Sequence, residues 1–341
     1  MRKLILRLSL FLSPIILVIV VYVILDPFKV VRIYSNYKPE GFPLSVPLNQ
    51  NRVSAGTFRY YNDSVQYNSF IFGSSRSMFY EIQYWKPYLK ESARCFHFDA
   101  SAETLDGVLH KVEFLERENV KPDNVLFIFD ADLIRPANLI SEHLYMEDPI
   151  VVGNERWLPF QSAHFMAFLD RKFMRAFLDY TITGKVKSYM TELNVLDDKP
   201  FAYDPVTNEM RYEHYEQLDN EGKYYTAARM AKFSMRRDSI QHIGKPVIDS
   251  KAEQKLKRIA EIVQAAGAQV RVVISPLYNQ IKFSPRDLAI LNNLFGEGVV
   301  YDFSGINSLT KSYTSYYEQS HYRPKLAKAV LDSLYGGLTQ R

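Results

Sequence analysis

The feature that most constrains this chain is an uncharged apolar stretch near its N-terminus. Residues 8–25 carry no charged side chain, are rich in leucine, isoleucine and valine, and follow the basic residues Arg2, Lys3 and Arg7. A helix of that length reaches about 27 Å, close to the thickness of the hydrocarbon core of a bilayer. Pro14 would kink a helix in water but is tolerated in membrane-spanning helices. The stretch therefore predicts one transmembrane helix.

The charges around this stretch predict its orientation. Basic residues before a span stay in the cytoplasm, so residues 1–7 are predicted to form a cytoplasmic stub. Everything after Leu25 would then lie outside the cytoplasmic (inner) membrane, in the periplasm or on the outer surface. A cleavable signal peptide and a buried core helix are the alternatives. The next residues, Asp26-Pro27-Phe28-Lys29, lack the small-residue pair of a cleavage site, which favours a retained signal-anchor.

The composition of the whole chain suits a folded domain. It is 47% hydrophobic and 23% charged, enough apolar sequence for a sizeable core. The net charge of +4 is spread along the chain, so nucleic acid is not a predicted partner. Cys95 is the single cysteine, which excludes internal disulfides and cysteine-based metal sites. The histidines show no metal-binding spacing, so no metal and no cofactor are predicted.

Alternating apolar runs and helical patterns predict repeated βαβ units and a mostly parallel sheet. Such sheets place their sites at the carboxyl ends of the strands. Residues 26–65 are predicted to be a stalk, and residues 66–341 the folded domain. The predicted strands are 68–72, 95–98, 125–129, 269–274 and 299–301, and the predicted helices are 103–119, 250–266 and 325–334.

The alternation is interrupted by an insertion at about residues 136–249. This segment is rich in aromatic and charged residues, among them Trp157 and several phenylalanines. We expect it to be mainly helical. Two interpretations stay open: a lid or substrate platform over the site face, and a helical layer that only packs.

Three residues form the candidate catalytic group. Ser75 follows the first strand, where Gly73 allows a sharp turn. A nucleophilic serine needs a histidine base and a carboxylate that orients the histidine. Glu318 and His321, three residues apart before the last helix, are candidates for both, and Asp302 is an alternative acid.

Together these motifs resemble the SGNH/GDSL hydrolase superfamily. The likeness is greatest to its membrane-anchored extracytoplasmic branches, such as the alginate O-acetylation and teichoic-acid D-alanylation proteins. The two segments that carry it are Phe72-Gly-Ser-Ser-Arg-Ser77 and Tyr317-Glu-Gln-Ser-His-Tyr-Arg-Pro324. By this resemblance Gly73-Ser74-Ser75 fills the Gly-Asp-Ser place, with Ser75 as the nucleophile. Glu318 and His321 fill the Asp-x-x-His place.

The resemblance implies both a fold and a function. The expected fold is a flavodoxin-like three-layer α/β sandwich with a mostly parallel sheet, the helical insertion and one N-terminal transmembrane helix. The expected function is a serine acyl-enzyme, an O-acyl (O-acetyl) transferase or carbohydrate esterase acting on an envelope polysaccharide. An acyl donor must cross the membrane, so a multi-span membrane O-acyltransferase is the implied partner.

This sequence also departs from the family pattern. Residues 98–103 lack the oxyanion glycine, which leaves a backbone N–H of Ala100 or Ser101 as a substitute donor. The family's Gly-x-Asn-Asp block would fall at Phe129-Asp-Ala-Asp132, so its asparagine donor is absent. Four further residues are candidates either to line the site or to form caps and salt bridges: Asp130, Asp132, Arg135 and Asn279.

These departures keep a second function open, a catalytically inactive glycan-binding or scaffold protein. A sensor signalling through the helix is disfavoured because only seven residues precede the span. The enzyme hypothesis makes a geometric prediction: Ser75 Oγ lies within about 4 Å of a ring nitrogen of His321.

Overall fold

Five parallel strands form the central sheet of the protein. The structure, a computed structural model, describes residues 2–38, 44–136, 142–153, 156–192, 195–196, 201–236 and 240–336, and of residues 2–10 the helical backbone only. The sheet consists of β1 (Ser69–Gly73), β2 (Cys95–His97), β3 (Asn124–Phe129), β6 (Gln269–Ile274) and β7 (Val300–Asp302). Their spatial order is β2-β1-β3-β6-β7, with every neighbouring pair parallel. This is the strand order of a flavodoxin-like sheet.

The remaining strands form two small antiparallel hairpins, β4 (Ala202–Tyr203) with β5 (Met210–Arg211), and β8 (Tyr316–Glu318) with β9 (His321–Tyr322). The α-helices of the described residues are α1 (Arg2–Leu25), α2 (Gln50–Val65), α3 (Ile82–Trp85), α4 (Leu105–Arg117), α5 (Ala131–Ile134), α6 (Pro149–Val152), α7 (Trp157–Phe168), α8 (Arg171–Thr183), α9 (Ser188–Thr191), α10 (Glu213–Asn220), α11 (Ala227–Met230), α12 (Ser250–Ala265), α13 (Pro285–Phe295) and α14 (Pro324–Tyr335).

Alternate residues of the strands face two separate cores. Phe70 and Phe72 of β1 pack into a core built with α2, α4, α12 and α13. Ile71, between them, faces a second core that includes α14. Successive side chains of a strand point to opposite faces, so strands buried on both sides are apolar throughout. The α/β class and the parallel sheet predicted from the sequence are confirmed.

The stalk predicted for residues 26–65 is wrong for its second half. Residues 50–65 form α2, in which Ala55 and Phe58 belong to the main core. The segment before it is also folded, since the carboxylate of Asp26 accepts hydrogen bonds from the N–H groups of Val30 and Val31. Few periodic apolar residues mark α2 in sequence, because its buried face is largely polar or small.

The N-terminal segment forms the helix α1. Among the residues whose side chains the structure describes, no helix is both long and apolar enough to cross a membrane. The predicted span starts at Leu8, and the side chains of residues 1–10 lie outside the described residues. The predicted cytoplasmic stub, residues 1–7, falls in the same part. The anchor stays a prediction.

The described part of the insertion contains the helices α6 to α11 and the hairpin β4–β5. Its two halves contact different parts of the protein. Phe165 and Phe168 of α7 pack against Tyr22 of α1. The second half, from β5 onward, packs against the hairpin β8–β9, since Tyr212 and Tyr215 contact Tyr317. Residues 137–141 and other short stretches of the insertion lie outside the described residues.

A second helix of the sheet layers, α13, was also not predicted. α13 follows Ser284, whose side chain accepts a hydrogen bond from the backbone N–H of Asp287, and has Pro285 in its first turn. Both are standard helix-start signals. The predicted helix at 250–266 is observed as α12, but its N-cap is Asp249 rather than Ser250.

Candidate active site

Ser75 lies in the turn that follows the first strand of the sheet. β1 ends at Gly73, and Ser77 begins a single turn of 3-10 helix. A Cβ on Gly73 would lie 2.8 Å from Cβ of Ser77 and 2.9 Å from the carbonyl oxygen of Ile128, so this turn has no room for a side chain at Gly73. Ser75 is half-buried, with its Oγ 2.8 Å from Nε2 of His321. The predicted convergence of Ser75 and His321 is confirmed.

Glu318 completes the group from the opposite side of the imidazole. Its Oε1 lies 2.5 Å from Nδ1 of His321, and its Oε2 accepts a hydrogen bond from the backbone N–H of Ser320 at 2.9 Å. Burial raises the pKa of Glu318, but these hydrogen bonds outweigh burial and hold the pKa below its ordinary value. A carboxylate that stays ionised beside Nδ1 keeps the proton on that nitrogen and leaves Nε2 free to accept one from Ser75.

Asp302, the alternative acid, is engaged elsewhere. Its carboxylate pairs with Lys282 at 2.8 Å and accepts a hydrogen bond from the backbone N–H of Ser304 at 2.9 Å. These contacts make Asp302 a structural residue at the end of β7. Glu318 is the carboxylate that contacts His321.

Arg76 ties the turn of Ser75 to two neighbouring segments, a role that we did not predict. Its guanidinium pairs with Asp130 at 2.6 Å, and its Nε donates a hydrogen bond to the carbonyl oxygen of Ser320 at 3.1 Å. Burial lowers the pKa of Arg76, but the charges of Asp130 and Asp132 and the hydrogen bond to Asp130 together outweigh burial and raise the pKa. Arg76 thus holds the residue before His321 against the turn that carries Ser75. The signal available in the sequence was an arginine directly after the serine.

The other polar candidates are of two kinds: Asp130 is buried and makes structural contacts, whereas Asp132, Arg135 and Asn279 are exposed. Asp130 is buried, caps α5 through the N–H groups of Asp132 and Leu133, and pairs with Arg76. Asp132 and Arg135 are exposed and form a long ion pair of 3.6 Å with each other. Asn279 is exposed, and its side chain accepts a hydrogen bond from the N–H of Ile281 within its own turn. The structure shows no contact between Asn279 and the Ser75 group among the described residues.

The candidate oxyanion donors differ in availability. The N–H of Ala100 donates to the carbonyl oxygen of Gly73 at 3.3 Å, so Ala100 is engaged beside β1. In the described part of the chain, neither Ser75 nor Ser101 has a hydrogen-bond acceptor for its backbone N–H. Ser101 directly follows Ala100 at the same edge of the sheet. These two N–H groups therefore have no acceptor within the described residues, whereas the N–H of Ala100 has one.

A buried polar group lies behind the nucleophile turn. Oγ of Ser77 is 2.6 Å from the carbonyl oxygen of Ser74 and 3.0 Å from Oδ2 of Asp99, which is also 3.2 Å from Nδ1 of His97. Burial lowers the pKa of His97, but its hydrogen bond to Asp99 and the negative charges of Asp99, Glu209 and Glu81 together outweigh burial and raise the pKa. The side chains of Ser77, Asp99 and His97 are all buried, so they support the turn instead of forming a second active site.

A buried arginine, Arg323, directly follows the hairpin that carries Glu318 and His321. The side chain of Arg323 is fully buried and contacts Glu216 at 2.9 Å and Asp219 at 2.8 Å, both in α10 of the insertion. The same Glu216 accepts a hydrogen bond from the hydroxyl of Tyr317 at 2.5 Å. The second half of the insertion therefore packs against the hairpin that carries Glu318 and His321. This agrees with one of the two interpretations of the insertion, a helical layer that packs.

The chain was compared with protein-family models and with curated proteins. No protein-family model matches the chain, and no curated protein is similar to it. Within the described residues, no group of three or more histidine, cysteine, aspartate or glutamate side chains could hold a metal ion.

Proposed function

We propose that this protein is an extracytoplasmic serine acyl-enzyme, an O-acyl transferase or esterase of an envelope polysaccharide. The observation that carries the proposal is the relay Ser75–His321–Glu318, with contacts of 2.8 and 2.5 Å. Residues 246 positions apart in sequence meet with the order and geometry of a nucleophile, a base and an orienting carboxylate. The motif resemblance to membrane-anchored SGNH proteins supplies the substrate class, and α1 is proposed to anchor the domain.

The first half-reaction uses His321 as a base. Oγ of Ser75 attacks the carbonyl carbon of the acyl donor while Nε2 of His321 takes the hydroxyl proton. The ionised Glu318 stabilises the imidazolium that forms. The N–H groups of Ser75 and Ser101 donate to the oxyanion of the tetrahedral intermediate. When the intermediate collapses, the donor's leaving oxygen receives the proton from His321, and an acyl ester remains on Ser75.

The second half-reaction decides between transfer and hydrolysis. A hydroxyl of the glycan, or water, attacks the acyl ester while His321 takes its proton. The new tetrahedral intermediate collapses, and Oγ of Ser75 leaves and recovers the proton from His321. The products are an acylated glycan in transfer, or a free acid in hydrolysis. The proposed donor-side partner is a multi-span membrane O-acyltransferase.

A fluorophosphonate probe and a p-nitrophenyl ester test the serine directly. The wild type is expected to be labelled by the probe and to release p-nitrophenol. Ser75→Ala and His321→Ala should lose both signals, with a rate loss of about 10²–10⁴ for removing the base. Ser64→Ala, which removes an exposed serine on α2, is the matched control and should behave like the wild type. Retained labelling in Ser75→Ala would refute the assignment of the nucleophile.

One observation favours a second function, an inactive glycan-binding or scaffold domain. The N–H of Ala100 donates to the carbonyl oxygen of Gly73, and Ala131, which stands in the place of the asparagine donor, has no side-chain amide. Losing one oxyanion donor lowers a rate by about 10²–10³. If the wild type is not labelled, while it binds the envelope glycan with an affinity unchanged by Ser75→Ala, the scaffold function replaces the enzyme.

A further inference from the structure

The helix α7 is unusual for the surface of a domain in water. None of its twelve residues is an aspartate, glutamate, lysine or arginine. His164, its one titratable side chain, is buried, and burial lowers its pKa to about 4, which favours the neutral imidazole. Yet Trp157 is 54% exposed, and Leu158 and Met166 are each 65% exposed. A helix that is apolar all round is normally buried in a core or in lipid. An apolar surface of α7 is thus left uncovered by the described residues.

α7 packs beside the last turns of α1. The ring centroid of Tyr22 lies 5.3 Å from that of Phe165 and 5.4 Å from that of Phe168. Tyr22 precedes the end of α1 at Leu25 by three residues, which is about 4.5 Å along a helix axis. Helices that lie in a membrane interface bury their apolar side about 5–10 Å deep. If α1 ends at the outer boundary of the hydrocarbon, α7 lies at interfacial depth.

Basic and aliphatic side chains are also exposed on α8, the next helix along the chain. Arg171, Lys172 and Arg175 in α8 are exposed. Ile182, in the last turn of α8, is 80% exposed, and Val186, in the connection from α8 to α9, is 51% exposed beside the exposed Lys185. Aromatic and aliphatic side chains beside lysines and arginines are typical of surfaces that contact lipid tails and anionic headgroups together.

We propose that α7, the last turn of α8 and the α8–α9 connection lie in the outer interface of the bilayer that α1 spans. We name this the interfacial surface and define it by Trp157, Leu158, Met166, Ile182 and Val186. The proposal rests on the anchoring proposed above, not on the acyl-enzyme chemistry. Lipid is favoured over a protein partner because the position of α7 beside α1 determines its depth. A second membrane contact would stop the domain from tumbling about a single helix and would hold the Ser75 site at one orientation to the membrane.

The two tryptophans make a direct test possible. Trp85 is fully buried in the domain, whereas Trp157 is exposed on the interfacial surface. The full chain is reconstituted into vesicles of phosphatidylcholine with phosphatidylglycerol, with part of the lipid brominated close to the acyl carbonyl. We expect a loss of tryptophan emission in the wild type and none in Trp157→Phe. Lipid brominated near the end of its chains should quench less. Equal emission with and without brominated lipid, together with full quenching of Trp157 by aqueous iodide, would overturn the proposal.

A cysteine pair provides the matched control. Cys95 is buried, so a single introduced cysteine can be labelled with an environment-sensitive dye. Met166→Cys on α7 is compared with Met235→Cys, whose native side chain is 87% exposed outside the interfacial surface. Only the first dye should shift to the blue in vesicles. Equal shifts, or no shift, contradict the proposal. Failure of the wild type to float with the vesicles would overturn this surface and the anchor together, while leaving the p-nitrophenyl ester assay to judge the acyl-enzyme separately.

Discussion

Glu318 and His321 face each other as a cross-strand pair of the hairpin β8–β9. Directly opposed residues in an antiparallel pair have Cβ atoms about 4.5–5.5 Å apart. From that distance the longer glutamate side chain reaches Nδ1 of His321 at 2.5 Å, while Gln319 and Ser320 form the turn. The Glu-x-x-His spacing therefore works here through a β-turn and not through a helical turn. The hairpin also directs Nε2 of His321 towards Ser75.

Two substitutions of Glu318 should distinguish the effect of its negative charge from the effect of its side-chain length. Glu318→Gln keeps the length of the side chain but removes the negative charge that stabilises the imidazolium, so we expect kcat to fall by about 10²–10⁴. Glu318→Asp keeps the charge at a shorter reach and should lose less. Steady-state hydrolysis of a p-nitrophenyl ester measures both. Equal losses in the two variants would contradict the orienting role.

The stability supplied by Glu318 should depend on pH in a defined direction. Because its folded pKa lies below the ordinary value, its contribution is present above the unfolded pKa and is lost as the pH falls through the folded pKa. We expect the unfolding free energy of the wild type to exceed that of Glu318→Gln at neutral pH. The difference should shrink towards zero under acid conditions. Denaturant unfolding at a series of pH values measures it, and a difference that grows on acidification would refute the assignment.

Arg76 should act as a positioning residue through its contact with Ser320. Arg76→Met removes the contacts to Asp130 and to the carbonyl of Ser320, so the hairpin is expected to shift relative to Ser75. A displacement of about 1 Å can lower a rate by about 10². We expect a fall in kcat with a much smaller change in KM, and partial recovery in Arg76→Lys. Arg135→Met, at an exposed arginine of the rim, is the control and should be near wild type.

The buried Arg323 should support the same hairpin from behind. Arg323→Met leaves the half-exposed Glu216 and Asp219 without their buried partner, and losing the partner of such groups typically destabilises a protein by about 1–3 kcal/mol. The fluorophosphonate labelling rate should fall as well, because His321 lies two residues away. Lys325→Met removes an exposed cation 3.4 Å from the same Asp219 and should change stability by about 0–1 kcal/mol. Chemical denaturation and labelling kinetics check both variants.

A second buried ion pair secures the loop that contains Ser101. Lys111 and Glu103 are in contact and both are buried, and burial raises the pKa of Glu103 despite Lys111. Lys111→Met should destabilise the protein by about 3–5 kcal/mol because it leaves an uncompensated buried acid. Lys111→Met combined with Glu103→Gln should recover much of that loss. Lys255→Met, which breaks a half-exposed pair with Asp106, is the control. An additive double mutant would show that the two side chains are not coupled.

Local sequence was sufficient for the parts of this protein that depend on local signals. Short apolar-rich runs identified the five strands of the sheet within a residue or two. The clearest is β3, which is buried throughout and whose residues 125–129 are all apolar, as a strand covered on both faces requires. The position of Ser75 followed from the rule that such sheets place their sites at the carboxyl ends of the strands. His321 was identified by its place before the last helix and by the motif resemblance. Glu318 was identified by its distance of three residues from His321.

Only the tertiary structure could decide what depends on contacts between distant segments. α2 packs on the domain through a face of mostly small and polar residues. Such a face shows no apolar periodicity in the sequence, so the sequence did not predict the helix. The choice of Glu318 over Asp302 required the Lys282 contact, and the engagement of the Ala100 N–H required its register beside Gly73. Arg76 and Arg323 each join segments more than fifty positions apart, and such pairings are set by packing, which no local pattern encodes.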